Sequence, residues 1–269
     1  MSDAEFEAVV VGGGIAGASF AHALVPHARV LLLERESQPG MHSTGRSAAM
    51  FMESYGPAQV RALTRASRAT YERPPAGFTD TPILAARAAL YVGWRGQEAA
   101  LDALLRDLRA TGSVVERIDA AQCLQRVPVL RAEGLVGGVL EADAMDIDVH
   151  ALHQGYLRGL RRAGGTLWTN AELQRAEAAS GRWSITLADG RTVRARTLVN
   201  AAGAWADEVA VRCGAAPLQI QPKRRSAFTF AAPAGLEIRG WPTVADVDER
   251  WYFKPDAGQL LGSPANADP

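Results

Sequence analysis

The stretch Val9-Val10-Val11-Gly12-Gly13-Gly14-Ile15-Ala16-Gly17 decides the fold. Its three valines indicate a buried strand, and the glycines after them indicate a tight turn into a helix that begins near Ile15. In such a turn Gly12 permits the bend, Gly14 lets the backbone approach a ligand, and Gly17 lets the helix pack closely on the strand. The N-terminus of the helix favours an anion, so Gly12, Gly14, Ile15, Ala16 and Gly17 are predicted to bind a dinucleotide pyrophosphate.

A second apolar run, Val30-Leu31-Leu32-Leu33, reads as the neighbouring parallel strand and ends at Glu34. An acid about 20 residues beyond the glycines is placed to bind the ribose hydroxyls of an adenosine. Its charge would repel a 2′-phosphate. Arg35 is included with it as a candidate cofactor-binding residue, and the alternative is a glycine turn followed by a surface glutamate.

The segment His42-Ser43-Thr44-Gly45-Arg46-Ser47-Ala48-Ala49 offers hydroxyls, a bare backbone and one cation in a loop that is expected to lead into a helix. On composition alone it is also compatible with a capped start of a surface helix. The later strand and turn Val199–Trp205 favours ligand binding, because a large dinucleotide needs a second small-residue turn. The predicted contacts here are His42, Ser43, Thr44, Gly45, Arg46, Ser47, Ala48, Ala49, Leu173, Ala201 and Gly203.

Composition limits the class of protein. The chain has 269 residues, is 48% hydrophobic and carries a formal net charge of zero, which gives no reason to expect nucleic acid or an anionic membrane as a partner. Cys123 and Cys213 lack the spacing of a metal site and indicate buried thiols in a reducing compartment. With no signal peptide and no apolar run of membrane-spanning length, a cytoplasmic protein is expected, without a metal or a transmembrane segment.

These motifs resemble the D-amino-acid oxidase superfamily of FAD enzymes, and within it the bacterial D-arginine dehydrogenases. The resemblance is spread over the chain, in His42–Ala49, Pro74–Phe78, Ala151–Arg162, Gln221–Phe228 and Lys254–Pro269. It implies FAD as the cofactor, a Rossmann-type FAD-binding domain, and an antiparallel substrate domain over the flavin. It also implies oxidation of a D-amino acid to an imino acid, which hydrolyses to the 2-oxo acid and ammonia.

The predicted fold class is therefore α/β, with an inserted, mainly antiparallel α+β substrate domain. The expected boundaries are 1–87 and 143–216 for the FAD-binding domain, and 88–142 and 217–269 for the substrate domain. The family continues beyond the position of Pro269, so the substrate domain is expected to be incomplete.

The flavin carries the redox chemistry, and the protein must hold the substrate Cα–H against flavin N5 and bind the substrate carboxylate. Carried over from the family, Arg225, Tyr252 and Tyr55 are the candidate catalytic residues. The alternatives are a surface cation in a Lys-Arg-Arg run for Arg225, core packing for Tyr252, and an ordinary loop tyrosine for Tyr55. Strand alternation places Tyr252 on the face opposite Trp251 and Phe253.

Two departures from D-arginine dehydrogenases concern the substrate pocket. Ala89 stands where the family has an acid for the cationic side chain, and Met50 stands where it has a histidine, with Met52 nearby. Loss of a charge-assisted bond of about 1.5–3 kcal/mol weakens a cationic substrate roughly ten- to a hundredfold. Neutral, apolar D-amino acids are therefore expected to be preferred over D-arginine.

Two alternatives to a D-amino-acid dehydrogenase stay open. They are a truncated FAD-binding remnant without catalysis, and a related flavin enzyme for secondary amines or 2-hydroxy acids. The electron acceptor, a quinone-type carrier or oxygen, stays open.

Overall fold

A computed structural model describes residues 4–269 of the chain. In this part of the chain there are sixteen strands and six α-helices. The strands are β1 (Ala4–Val11), β2 (Val30–Leu33), β3 (Met50–Phe51), β4 (Leu84–Ala86), β5 (Ala89–Trp94), β6 (Val115–Ile118), β7 (Leu135–Glu141), β8 (Met145–Ile147), β9 (Thr166–Trp168), β10 (Leu173–Ala179), β11 (Arg182–Leu187), β12 (Thr192–Asn200), β13 (Phe228–Phe230), β14 (Thr243–Asp246), β15 (Tyr252–Asp256) and β16 (Gln259–Ser263). The helices are α1 (Ile15–Leu24), α2 (Ala58–Glu72), α3 (Glu98–Ala110), α4 (Ala120–Arg126), α5 (Val149–Arg162) and α6 (Ala206–Arg212).

The chain divides into two compact units, each built from separate segments. Unit 1 takes in the chain up to Ala49, together with Arg73–Ile83 and Asp148–Pro222. Unit 2 consists of Met50–Glu72, Leu84–Ile147 and Lys223–Pro269. The expected boundaries of 1–87 and 143–216 differ from this division chiefly in residues 50–72, which belong to unit 2 because β3 pairs with β8 there.

Unit 1 is built on a six-stranded sheet in the order β10-β11-β12-β1-β2-β9. Strand β1 lies between β12 and β2 and is parallel to both. Its alternate side chains enter two cores: Val9 packs in a cluster with the β10–β12 meander, and Val10 packs in a cluster with α1 and α5. Burial on both faces explains why β1 and β2 read as continuous apolar runs rather than as alternating ones.

Unit 2 is built on a seven-stranded sheet in the order β13-β16-β15-β14-β5-β7-β6, together with a small sheet of β3, β8 and β4. The pairings in the larger sheet are antiparallel except for β14 with β5, which is parallel. Helix α4 begins in a capping box, in which Asp119 and Gln122 each accept a hydrogen bond from the other's backbone N–H. The predicted α/β class, with a mainly antiparallel second part, is confirmed.

Two local predictions were wrong. The loop after Arg46 does not enter a helix; it continues as irregular chain into β3. The sequence pattern also predicts a hairpin strand at 192–195 and a separate buried strand at 197–200. The structure instead has one strand, β12, which pairs with β11 in its first half and with β1 along its length. Among residues 4–269 no helix combines the length and apolar character needed to cross a bilayer.

Candidate functional site

The glycine turn between β1 and α1 closes against the end of β12. Gly12 has a backbone φ of +108°, and a Cβ at this position would lie 2.4 Å from the carbonyl oxygen of Ala201. A Cβ on Gly17 would lie 1.9 Å from the carbonyl oxygen of Gly12. Only glycine fits at either position, because in each case the obstacle is backbone that cannot rotate away. The turn therefore brings bare backbone to the N-terminus of α1.

Glu34 fixes this turn from the end of β2. Its side chain is buried, and Oε2 accepts the N–H of Gly13 at 3.0 Å while Oε1 accepts the N–H of Glu36 at 2.9 Å. Two carboxylate oxygens offer about four acceptor positions, so two remain after these bonds. The arrangement suits a carboxylate that holds the turn and also receives hydroxyl groups of a ligand.

The second predicted motif meets the first through one hydroxyl. Thr44 Oγ1 accepts the N–H of Ile15, the first residue of α1, at 3.0 Å. The loop folds back on itself, because the N–H of Gly45 donates to the carbonyl of Gly40 at 2.8 Å and that of Arg46 to the carbonyl of His42 at 3.1 Å. Thr44 therefore acts as a cap supplied by a distant loop, since the N-cap residue of α1 is a glycine without a side chain.

Trp205 lies just beyond the C-terminal end of β12, and its ring contacts two other side chains. The guanidinium carbon of Arg35 lies 4.0 Å from the ring centroid of Trp205, and the His42 ring lies 4.6 Å from it. Both Arg35 Nε and His42 Nε2 contact Oε1 of Glu36, at 3.1 and 2.9 Å. The hydrogen bond with His42, followed by that with Arg35, holds the pKa of the Glu36 carboxyl below its usual value. The result is a flat wall in which the Arg35 cation, paired with Glu36, and the His42 ring cover the indole of Trp205.

These parts surround one cavity of unit 1, which we call the glycine-turn cavity. Ten of the predicted cofactor residues line it: Gly12, Gly14, Glu34, Arg35, His42, Ser43, Thr44, Leu173, Ala201 and Gly203. The other eight do not line it: Ile15, Ala16, Gly17, Gly45, Arg46, Ser47, Ala48 and Ala49. Of these, Ile15 and Gly17 support the turn as described, whereas Arg46 and Ser47 are exposed.

Sequence reasoning missed other residues of the lining, among them Trp205 and Arg212. Arg212 Nη1 donates to the carbonyl of Leu173 at 2.6 Å and to Oε1 of Glu172 at 2.7 Å, and so ties α6 to β10. Trp205 was visible as the end of the second small-residue turn. Arg212 carries no local signal, because its partners are about 40 residues away in the chain.

The substrate-side candidates all belong to unit 2. Ala89 pairs with Glu141 on one side and Thr243 on the other, so these three side chains share a face of the larger sheet. Tyr252 lies on that same face, since it pairs with Ala245 and so falls in the next row. Trp251 and Phe253 pack instead against the core cluster of the opposite face.

The other candidates are spread over the edge of this face. Met50 in β3 is half-buried, and Thr243 Oγ1 donates to its Sδ at 3.1 Å. Met52 is half-buried and Tyr55 is 64% exposed. Arg225 is exposed, and its Nε donates to the carbonyl of Asn266 at 3.2 Å.

Ala89, at the position where the family has an acid, is only 3% exposed. Its cross-strand neighbour Glu141 is 1% exposed and accepts the hydroxyl of Ser54 at 2.9 Å. Burial raises the pKa of Glu141. A carboxyl group is thus present beside the position from which the acid is missing, although sequence reasoning assigned it no role.

Comparison with known proteins agrees with a cavity that suits a dinucleotide. The family model "FAD dependent oxidoreductase" (DAO) matches residues 7–268. The chain is 26% identical over 238 residues to the L-2-hydroxyglutarate dehydrogenase of Salmonella houtenae, covering 84% of this chain and 54% of that enzyme. It is 24% identical over 285 residues to the N-methyl-L-tryptophan oxidase of Salmonella arizonae, covering 98% of this chain and 74% of that enzyme.

A solved structure shows the same fold. The FAD-bound L-α-glycerophosphate oxidase of Mycoplasma pneumoniae superposes with a TM-score of 0.85 at 17% identity, over 98% of this chain and 71% of that one. The chain spans about half the length of the hydroxyglutarate dehydrogenase it matches. The relatives named here support the superfamily and not the finer likeness to D-arginine dehydrogenases. The family match gives FAD as the cofactor, and the chain belongs to the DAO family of FAD dependent oxidoreductases.

Proposed function

We propose that this chain belongs to an enzyme that oxidises the α-carbon of a small amino acid, with neutral D-amino acids as the preferred substrates. The observation that carries the proposal is the glycine-turn cavity, in which Gly12, Glu34 and Thr44 present backbone, carboxylate and hydroxyl groups in the arrangement that suits a dinucleotide. When bound, FAD accepts the hydride that leaves the substrate Cα. The amine nitrogen loses a proton, and water hydrolyses the resulting imino acid to the 2-oxo acid and ammonia.

The protein's own part is to bind the substrate carboxylate and orient Cα–H. Arg225 supplies a cation and Tyr252 a phenol for that carboxylate, and Tyr55 supplies a second phenol from an exposed loop. Met50, Met52 and Ala89 provide a soft apolar pocket for the side chain, since the thioether adapts to irregular shapes. This assignment supports a neutral side chain over a guanidinium.

A second candidate is a flavin enzyme for 2-hydroxy acids or secondary amines. The relatives favour it directly, because one is named a dehydrogenase of L-2-hydroxyglutarate and another an oxidase of N-methyl-L-tryptophan. Both kinds of substrate carry a carboxylate on the carbon that holds the amine or the hydroxyl, so the proposed roles of Arg225 and Tyr252 in binding that carboxylate are the same in both candidates.

The test begins with the 269-residue chain loaded with FAD and a record of its visible spectrum. D-methionine, D-leucine, D-arginine, sarcosine and L-2-hydroxyglutarate are then added anaerobically in separate cuvettes. Bleaching of the flavin bands by D-methionine or D-leucine, at least tenfold faster than by D-arginine, supports the proposal. Bleaching by sarcosine or L-2-hydroxyglutarate alone overturns it in favour of the second candidate.

A matched pair of variants tests the carboxylate site. Arg225→Met removes a charge-assisted hydrogen bond of about 1.5–3 kcal/mol, so KM is expected to rise roughly ten- to a hundredfold. Lys223→Met removes an exposed cation two residues away and is expected to leave KM within about twofold of the original, since exposed charges contribute little. Equal effects of the two changes would mean that Arg225 acts only through general surface charge.

A further inference from the structure

His153 is a buried histidine of α5 whose ring touches both motifs of the glycine-turn cavity. It is 4% exposed, and its Nε2 lies 2.8 Å from the carbonyl oxygen of Gly13. The same ring lies against the other motif, because a Cβ on Gly40 would come within 3.0 Å of its Cε1. The carbonyl of Gly40 in turn receives the N–H of Gly45, next to Thr44. One side chain thus braces the turn and the loop together.

The chemistry of the bond fixes the tautomer of His153. A carbonyl oxygen can only accept, so the hydrogen must be on Nε2. Burial lowers the pKa of His153, which favours the neutral ring with Nε2–H at neutral pH. His153 is therefore a directed donor toward the Gly13 carbonyl.

Because the peptide bond is planar, the orientation of the Gly13 carbonyl also sets the orientation of the next N–H group, that of Gly14. In a trans peptide the C=O of Gly13 and the N–H of Gly14 point to opposite sides of the chain. His153 holds that C=O, and Glu34 Oε2 holds the N–H of Gly13 itself at 3.0 Å. Two buried side chains thereby fix two successive peptide planes of the turn. Gly14, whose N–H is directed away from His153, lines the cavity.

We propose that His153 is a positioning residue for the cofactor pyrophosphate, which orients the Gly13–Gly14 peptide so that the Gly14 N–H faces the phosphate oxygens. The inference depends on the FAD site of unit 1 and not on which substrate the enzyme oxidises. It predicts a defect confined to ligands that carry phosphates.

The test compares His153→Gln with His153→Asn. The terminal nitrogen of glutamine reaches the place of histidine Nε2, whereas that of asparagine reaches only the place of Nδ1, and both side chains are polar. ADP and adenosine are titrated into each protein by calorimetry or by amide chemical shifts. We expect His153→Asn to bind ADP about tenfold more weakly and adenosine within about twofold of the original chain, because one hydrogen bond is lost only at the phosphates. His153→Gln is expected to stay within about twofold for both ligands.

His22→Asn is the control, since His22 is another histidine of unit 1. Its Nδ1 is buried without a hydrogen-bond partner among residues 4–269, and its ring packs on Phe78 and Tyr156. It is expected to change the melting temperature and leave the ratio of ADP to adenosine affinity unchanged. Equal weakening of ADP and adenosine in His153→Asn, or a glutamine variant as defective as the asparagine variant, would overturn the proposal. Should the asparagine variant not fold, a long-range ¹⁵N–¹H spectrum of the original chain decides: Nε2–H supports the proposal and Nδ1–H overturns it.

Discussion

The glycine-turn cavity of unit 1 and the substrate-side sheet face of unit 2 are organised in different ways. The cavity is formed largely by backbone groups. The N–H and the C=O of Gly13 are each hydrogen-bonded to a buried side chain. On the sheet face the candidate groups are side chains: Tyr55 at its edge is largely exposed, whereas Glu141 on the face is fully buried. A backbone site is sensitive to any added atom, whereas a side-chain site is sensitive to charge. The following changes separate these two kinds of dependence.

The largest effect is expected from Gly17→Ala. The added Cβ meets the Gly12 carbonyl at 1.9 Å, and relief requires α1 to move away from the turn. The free energy of unfolding should fall by about 3 kcal/mol, and FAD uptake should be lost. Thermal melting and the visible spectrum of the purified variant measure the two effects.

Gly240→Ala is its control, because a Cβ there meets nothing within 4 Å. It should bind FAD as the original chain does. If Gly17→Ala also retained FAD with unchanged stability, the packing of α1 against the turn would not limit the site.

Next in size is Glu34→Ala. The change removes an acceptor from two backbone N–H groups, that of Gly13 in a buried place and that of Glu36 in a half-buried one. We expect the Kd for FAD to rise about ten- to a hundredfold, in line with a charge-assisted bond of about 1.5–3 kcal/mol. Titration by flavin fluorescence checks this, with Glu177→Ala as a control because Glu177 is an exposed carboxylate of the same unit.

On the sheet face, Glu141→Gln is expected to alter the pH dependence of stability. Burial raises the pKa of Glu141 above its unfolded value, so the folded state binds the proton more tightly. Its contribution is present below the unfolded pKa and is lost as the pH rises through the folded pKa, by about 1.4 kcal/mol for each pH unit between the two values. Glu53 and Asp143 face the same carboxyl and act in the same direction.

Glutamine stays neutral and can still accept the Ser54 hydroxyl. Urea unfolding at pH 5 and pH 8 should therefore show Glu141→Gln gaining on the original chain at the higher pH. A constant difference between the two proteins at both pH values would contradict a buried, titrating Glu141.

The smallest effect is expected from Trp205→Leu. It removes the ring that Arg35 and His42 cover, and a cation–π contact of about 0.5–1 kcal/mol at an exposed site corresponds to a two- to fivefold weaker Kd for FAD. Trp168→Leu is the control, since Trp168 has Arg191 above it at 4.6 Å and does not line the cavity. A loss of FAD affinity in both variants would assign the effect to stability alone.

The first strand, turn, helix and acid were predictable because their signals are local. Val9–Gly17 and Glu34 combine an apolar run, fixed glycine spacing and an acid at the expected distance, each of which has a direct physical cause. The sheet class followed from the same patterns. The cofactor, FAD, followed from the family resemblance.

What the sequence did not reveal depends on contacts between distant segments. The loop after Arg46 was expected to lead into a helix, but the chain continues irregularly into β3, and the N–H of Gly45 bonds back to the carbonyl of Gly40. His153 and Arg212 were assigned no role, because a buried histidine in a helix and a basic residue in the last turn of a helix are both commonplace. Their roles arise from partners about 140 and 40 residues away.

The pairing of β1 with β12 also has a consequence for synthesis. Ala4 of β1 pairs with Val193 of β12. Almost two hundred residues must therefore be synthesised after β1 before its parallel neighbour β12 is available for pairing. The block from β5 to β7, in contrast, pairs within a single continuous segment and can form much earlier. The turn is made long before β12 but is completed only once β12 is available, so retention of FAD would report that synthesis has passed β12.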